Sequence, residues 1–505
     1  MTRKLSGLPE PLSDASRAYL EAFPPGEVVA FPLTPLDHLG LPVWVVALFP
    51  DDARLDGVMP YGVGYGADDE AAVLGALGEI AEMVFPTLAL RERELHRGSW
   101  RELTRTLGEG AVADPLTLCL PAGSPVGRDT ELLWTEAVRA RGGATVLLPL
   151  EIAAYNKREV PPGYRPFTTI ISNGMGAGPD VDWALGHGLF ELLQRDGNGL
   201  LFRALDAGVV LDWPAEPSPR TADLLSAFRE AGVEVMPKFA TDEWGFANLY
   251  CVGREAGGAA PPTPIMLTAC GEGCHPDRDV ALQKAMTEFA ASRARKAFAH
   301  GPSALAQSVA PADYVRRFMA RSGFNGKAGE GRAFEAMRDW TTRSPADLSR
   351  WLEPTVFSRR ASKAFDDLPA APDLDPRGRG RLARERLEAG GLDPLYVDVS
   401  PPDRAIAVVK AVTPGLEVET MSYGRIGERN ARKLLDRGHP LVRFGEASDT
   451  LLPVRLTPEA LERFGGQPLF DTALAAEIVG PLYPLYREPE AHHVAWAAQA
   501  EGAAA

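Results

Sequence analysis

Three glutamates stand at one fixed distance from a pair of glycines. Gly62-Val63-Gly64, Gly174-Met175-Gly176 and Gly271-Glu272-Gly273 are followed, 15 positions after the last glycine, by Glu79, Glu191 and Glu288. Two copies add a polar side chain three residues on, Glu82 and Gln194. Residues three apart share a helix face, and grouped side-chain oxygens are what a hard cation such as Mg²⁺ takes. Arg195 and Arg293, on the second and third helices, carry planar cations suited to phosphate. Glycine turns ahead of helix N-termini would leave backbone N–H groups and the positive dipole end open to an anion. The chemistry this pattern points to is Mg²⁺ with a nucleotide triphosphate.

The elements that must position these groups repeat as well. Asp68, Asp180 and Asp277 lie four residues past the glycines, where each can cap a helix by accepting from first-turn N–H groups. Counting from that aspartate, positions +4, +8 and +11 share a stripe that reads Ala, then Ala or Gly, then Glu. Positions +5, +9 and +12 are apolar and face the core. The unit is therefore strand, glycine turn, Asp-capped helix and inward glutamate, and three copies are expected to build one site from three helices. A duplication kept only for the fold would show the same spacing.

The helices are expected over 68–85, 180–205 and 277–298. Strand signals fall at 28–33, 42–49, 116–120, 132–138, 144–152, 168–172, 209–213, 233–237, 246–252, 265–268, 395–399 and 405–412. Helical signals fall at 220–231, 311–321, 330–343 and 379–389. The predicted class is α/β (α+β), with repeated strand-turn-helix units, mixed sheets and packed helices. The predicted organisation is an N-terminal arm (1–25), a nucleotide-binding core (26–310), a helical insertion and linker (311–392), and a C-terminal part with a tail (393–505). Residues 366–379 read as a linker, the Ala-rich end as frayed, and His492-His493 as solvated.

Bulk composition narrows the functional classes. A net charge of −15 over 505 residues argues against a general nucleic-acid binder, which needs a basic surface. Four cysteines (Cys119, Cys251, Cys270, Cys274) do not make a disulfide scaffold. The N-terminus lacks the apolar core of a signal peptide, and the longest apolar runs are far shorter than a membrane span. A cytoplasmic protein is expected, with no nucleic-acid or membrane partner.

The three segments together resemble the YcaO family. The likeness is carried by Leu36-Asp37-His38-Leu39-Gly40-Leu41-Pro42-Val43-Trp44, the first repeat, and Ser172-Asn173-Gly174-Met175-Gly176-Ala177-Gly178 with Phe190-Glu191-Leu192-Leu193-Gln194-Arg195-Asp196. It continues in Gly271-Glu272-Gly273-Cys274-His275-Pro276-Asp277 with Ala285-Met286-Thr287-Glu288, and more loosely from Val408 to Glu417 and over Tyr423-Gly424-Arg425. The resemblance implies a YcaO-like fold and ATP-dependent modification of a peptide backbone amide. In such enzymes a Cys, Ser or Thr side chain of a ribosomal precursor peptide attacks the preceding carbonyl, ATP phosphorylates the oxyanion, and loss of phosphate gives an azoline. Relatives use an external nucleophile and make thioamides or amidines. By the resemblance Glu79, Glu82, Glu191, Gln194 and Glu288 match Mg²⁺/ATP positions, while Ser172, Asn173, Arg195 and Arg293 match nucleotide contacts. A leader-peptide-binding partner protein is implied, and the chain could form a homodimer.

Departures from the family pattern are specific. Val63 replaces the lysine of a Gly-Lys-Gly, Gly75 a serine, Met83 an arginine, Gln194 a glutamate and Ala291 a glutamine. Gln194 keeps an oxygen ligand without its charge, so cation binding would weaken. These changes also suit a second reading, a catalytically impaired scaffold that binds a precursor peptide or partner enzyme. A dinucleotide-binding oxidoreductase is disfavoured, since no single G-x-G-x-x-G unit carries a ribose-binding acid about 20 residues on. Cys270, Cys274 and His275 are zinc-ligand types without a second pair. His187 is a structural histidine or a proton shuttle beside the glutamate stripe, and Asp196 an ion-pair partner.

Overall fold

Each glycine pair lies in or against an edge strand rather than in an open turn. The computed structural model describes residues 4–200, 203–324, 330–371 and 374–504. The repeats are β1 (Tyr61–Tyr65) with α1 (Asp69–Glu92), β2 (Met175–Gly178) with α2 (Val181–Asn198), and β3 (Gly271–His275) with α3 (Arg278–His300). A Cβ on Gly62, Gly64, Gly176, Gly271 or Gly273 would fall within 3.0 Å of a helix carbonyl, those of Ala76, Ala72, Ala184, Ala285 and Ala281 in turn. Gly188 meets the Gly174 carbonyl in the same way from the helix side. The small residues and the glycines are thus two halves of one contact, in which a helix backbone crosses a strand too closely for any side chain.

The helix starts follow the expectation. Asp68 accepts from Ala71 N at 2.9 Å, Asp180 from Trp183 N at 3.0 Å, and Asp277 from Asp279 N at 2.8 Å and Val280 N at 3.2 Å. A carboxylate already at each helix N-terminus takes one or two of its free donors and opposes a second anion there. The glycines thus serve a close-packed strand ahead of a capped helix.

The chain divides into two compact units. The first comprises Met1–Val84, Leu201–Asp373 and Pro481–Ala505. One of its sheets orders Lys4–Ser6, Gly26–Pro32, Val43–Pro50 and β1, parallel in the first pair and antiparallel after it. Its other sheet runs β3, Ala247–Glu255, Val233–Thr241, Val209–Leu211 and Ala361–Lys363, with only the last pair parallel. Helix α3 serves both cores, through Ala281, Ala285 and Phe289 on one and Ala291, Ala294 and Phe298 on the other.

The second unit comprises Phe85–Leu200 and Leu374–Gly480. Its main sheet is antiparallel, in the order His96–Ser99, Glu131–Arg139, Leu395–Asp398, Ala407–Val412 and β2, with Thr145–Pro149 also paired to Glu131–Arg139. A small sheet of Val442–Arg443, Leu469–Asp471 and Leu451–Pro453 completes it.

Several local expectations change. Residues 116–120 and 265–268 overlap the short 3₁₀ turns Pro115–Thr117 and Pro264–Thr268, each opened by a proline that cannot donate to a strand ladder. Residues 168–172 form no strand. Helix α2 ends at Asn198, short of residue 205, and residues 201 and 202 lie outside the described part. The 366–379 stretch contains the start of a helix, Pro376–Ala389, while residues 372 and 373 are not described. The 1–25 arm holds a strand and a helix, Asp14–Ala22, capped by Ser13. By length and composition α1 could cross a membrane, though 56% of its most apolar 18-residue window is buried within the protein.

Candidate active site

In the first unit the repeat glutamates converge on a tyrosine. Glu79 Oε2 accepts from the backbone N of Val63 at 2.8 Å, so the residue that displaces the family's lysine still contributes its N–H. Tyr65, two residues along β1, donates its hydroxyl to Glu288 Oε2 at 3.2 Å. Burial, then the charges of Glu288, Glu79 and Glu272, push the Tyr65 phenol well above its ordinary range. These three carboxylates therefore act on one hydroxyl. Glu82 lies one turn further along α1, where its charge adds to the burial that raises Tyr19.

Arg293 takes a different role from the one its sequence position implied. It is fully buried and paired with Asp37 at 2.7 and 3.0 Å and with Glu255 at 2.7 Å. The reason is helix phase. Five residues past Glu288 is about 140° around the helix, which points Arg293 into the core. Seven residues past Glu288 returns to the glutamate stripe, and that position is Arg295. Its guanidinium pairs with Glu488 at 2.8 Å and is held charged by Glu488 first, then by Tyr61 and Glu79. Arg295, rather than Arg293, is the cation beside the first-repeat glutamate. Asp37, within the Leu36–Trp44 motif, is explained by its bond to Arg293.

In the second unit Glu191 Oε2 accepts from Gly174 N at 2.8 Å, and Arg195 lies 3.6 Å from Glu191 one turn on. Gln194 is buried, at 4% exposure. Ser172 is exposed and accepts from Met175 N at 3.2 Å through its carbonyl. Asn173 lines a cavity of ≈ 60 Å³ with Leu192, Lys410, Thr413 and Glu417. Asp196 is an ion-pair partner as expected, 2.7 Å from Arg429 and accepting from Glu417 N at 2.9 Å.

Lys410 is the residue here that the sequence reading passed over. Its Nζ donates to Ala154 O at 2.5 Å and to Ile171 O, tying both ends of the segment that leads into Ser172-Asn173 to one strand. Burial lowers its pKa to about 8, against the attraction of Glu159 and Glu191. The signal was available: a lone lysine inside Ala407–Val412, otherwise a continuous apolar strand, has to be paired or functional. Arg295 was also readable, by the seven-residue spacing. Tyr65 and Glu272 carried no periodic signal of their own.

The remaining candidates separate cleanly. Among the described residues no three His, Cys, Asp or Glu are grouped to hold a metal by themselves. His275 Nδ1 accepts from Asp277 N at 2.9 Å and so caps a helix entry. His187 is exposed on α2. His492 and His493 are buried rather than solvated, because the tail folds back as the helix His493–Ala504 with His492 N donating to Ala299 O at 2.7 Å. Burial lowers their pKa values to about 3 and about 4.

A profile of the YcaO cyclodehydratases, an ATP- and Mg²⁺-binding family, matches residues 63–417, from β1 through the Lys410 strand to Glu417. The chain belongs to the YcaO family. An uncharacterised protein from Methanothermobacter thermautotrophicus is 27% identical over 398 residues, spanning 79% of this chain and 91% of its own. An uncharacterised protein in the tfuA 3′ region of Rhizobium leguminosarum bv. trifolii is 25% identical, over 79% and 85% of the two chains. Among solved structures, a heterocyclase in complex with substrate and cofactor aligns at a TM-score of 0.56 and 18% identity, covering 79% of this chain and 50% of that one. The YcaO from Methanopyrus kandleri bound with AMPPCP and Mg²⁺ aligns at 0.51 and 18% identity, covering 82% and 91%. The mixed α/β fold is thus the YcaO fold, and this chain spans about half the length of the heterocyclase.

Proposed function

We propose that this YcaO protein uses ATP and Mg²⁺ in the cytoplasm to modify a backbone amide of a ribosomally made precursor peptide, cyclodehydrating Cys, Ser or Thr to an azoline. The observation that carries the reading is the matched anchoring of Glu79 and Glu191. Each gives one carboxylate oxygen to a backbone N–H at its own strand and has an arginine on the adjoining stripe, Arg295 or Arg195. Anchoring fixes each carboxylate's rotamer, which is the preorganisation that phosphoryl transfer depends on.

The donor set suits Mg²⁺, since the side chains offered are oxygen ligands and Mg²⁺ takes one or two carboxylates together with phosphate and water rather than an all-protein cage. With the triphosphate and water completing its shell, Glu79, Glu82 or Glu288 would each offer it a ligand in the first unit, and Glu191 or Gln194 in the second. When bound, ATP supplies the phosphoryl group that turns the amide oxygen into a leaving group. The protein's own part is to orient: Arg195 and Arg295 balance the carboxylates, and Lys410 holds the Ser172-Asn173 turn in place. A leader-binding partner protein is the expected companion.

Calorimetric titration of ATP with Mg²⁺ into the wild type and Glu191→Ala tests this. Binding in the wild type that weakens at least tenfold in the variant is expected, and no binding in the wild type would sink it. Mass spectrometry of a candidate peptide then separates loss of water, an azoline, from exchange of oxygen for sulfur, a thioamide. A second reading, a peptide-binding scaffold without turnover, is favoured by the buried amide of Gln194 and by the commitment of Arg293 to Asp37 and Glu255. Nucleotide-independent peptide binding would select it.

A further inference from the structure

Arg203 stands outside the three repeats and holds an unusual backbone. Its φ is 65°, in the left-handed region that residues with a side chain rarely adopt and keep only where the surroundings over-determine them. The C-terminal segment supplies two such constraints. Tyr486 Oη accepts from Ala204 N at 2.9 Å, and the Arg203 guanidinium lies 5.2 Å from the centre of the Tyr486 ring. Tyr486 is fixed in turn, its N donating to Tyr483 O at 3.0 Å and its neighbour Arg487 pairing with Glu330. Tyr486 falls outside residues 63–417, the part that the family profile matches.

The side chain held this way reaches the first-unit carboxylates. Arg203 lies 3.6 Å from Glu272 on β3, and the Glu272 charge acts on Tyr65 together with those of Glu288 and Glu79. Tyr65 and Glu288 are themselves bonded at 3.2 Å. Arg203 also belongs to a group of cations. Its charge and that of Arg295 both act against the charged form of Lys296, and Arg295 and Lys296 share the carboxylate of Glu488. Arg203 and Arg295 keep 20% and 37% of their side chains exposed, and Glu79 is exposed as well. Neighbouring cations repel unless an anion joins them, and the planar fork of arginine matches the oxygens of a phosphate. All of these residues belong to the first unit.

We propose that Arg203 is a further phosphate-contacting residue of the first-unit site and that Tyr486 is its positioning residue. This rests on the nucleotide reading above and deepens it. Arg203 and Arg295 serve the phosphate oxygens while Glu79 and Glu288 serve the cation. The C-terminal segment holds both arginines, Arg203 through Tyr486 and Arg295 through Glu488.

Calorimetry and ligand-observed NMR on the full chain, with ATP and Mg²⁺ against adenosine, test the proposal. Arg203→Met should weaken ATP binding by about ten- to a hundredfold, the worth of one charge-assisted contact, and leave adenosine unchanged. Arg203→Lys keeps a charge but not the fork, so its loss should be smaller, and it serves as the decisive variant if Arg203→Met does not fold. Tyr486→Leu should weaken ATP binding by about three- to tenfold. In the Arg203→Met background it should add nothing, because a positioning residue acts only through the group it holds. Unchanged ATP affinity in the Arg203 variants, equal losses for ATP and adenosine, or additive losses in the double variant overturn the inference while the nucleotide reading stands. Failure of the wild type to bind ATP sinks that reading and the inference with it.

Discussion

Replacing Lys410 by methionine sets two opposing terms against each other. The ammonium is buried, and its pKa falls to about 8 from an ordinary 10.5. Holding it charged at neutral pH therefore costs about 3 kcal/mol, at about 1.4 kcal/mol per pH unit. Methionine removes that cost but leaves the carbonyls of Ala154 and Ile171 without their donor, at about 1–3 kcal/mol each. The sums are comparable, so stability at pH 7 decides nothing.

The pH slope decides. Below pH 8 the folded and unfolded lysines both hold the proton. Between about 8 and 10.5 the unfolded chain binds more protons, so stability rises with pH. Integrated from pH 7 to pH 9, the wild type should gain about 1.4 kcal/mol on Lys410→Met. Urea unfolding at three pH values in that window measures it, and the buried cysteines and tyrosines that titrate nearby cancel in the difference. Parallel pH profiles for the two proteins would refute the buried, depressed lysine and the loop-tying role built on it.

Two further outcomes test the repeat architecture. Gly62→Ala should destabilise by about 1–3 kcal/mol, because its Cβ meets the Ala76 backbone, whereas Gly78→Ala on α1 has nothing within 4 Å and should gain about 0.5–1 kcal/mol in thermal unfolding. Arg293→Met should cost about 3–5 kcal/mol by stranding Asp37 and Glu255, with ATP affinity of the folded fraction unchanged; a fall in affinity without loss of stability would restore the nucleotide role.

The legible part of this chain was whatever repeats within a helix turn or a strand. The Asp caps, the small-residue stripe and the glutamates follow from spacing alone, and each cap is present. Misread elements have two causes: prolines opened 3₁₀ segments at two apolar runs, and the buried tail histidines depend on a partner surface far along the chain. Gly-x-Gly was read as a phosphate turn because glycine freedom and glycine smallness look alike in one dimension. The closeness of the helix backbone tells them apart.

Sequence by itself determined the three strand-to-helix units, because a 3.6-residue period and a capping aspartate are local properties of the backbone. It also determined that each unit presents a glutamate. Only the tertiary structure decided which arginine faces that glutamate. Arg293 found Asp37 at 256 positions' remove, Arg295 found Glu488, and Lys410 found carbonyls at Ala154 and Ile171. Those partners are set by how helices and sheets pack, where the desolvation of a buried charge must be offset by whatever group the fold brings alongside it.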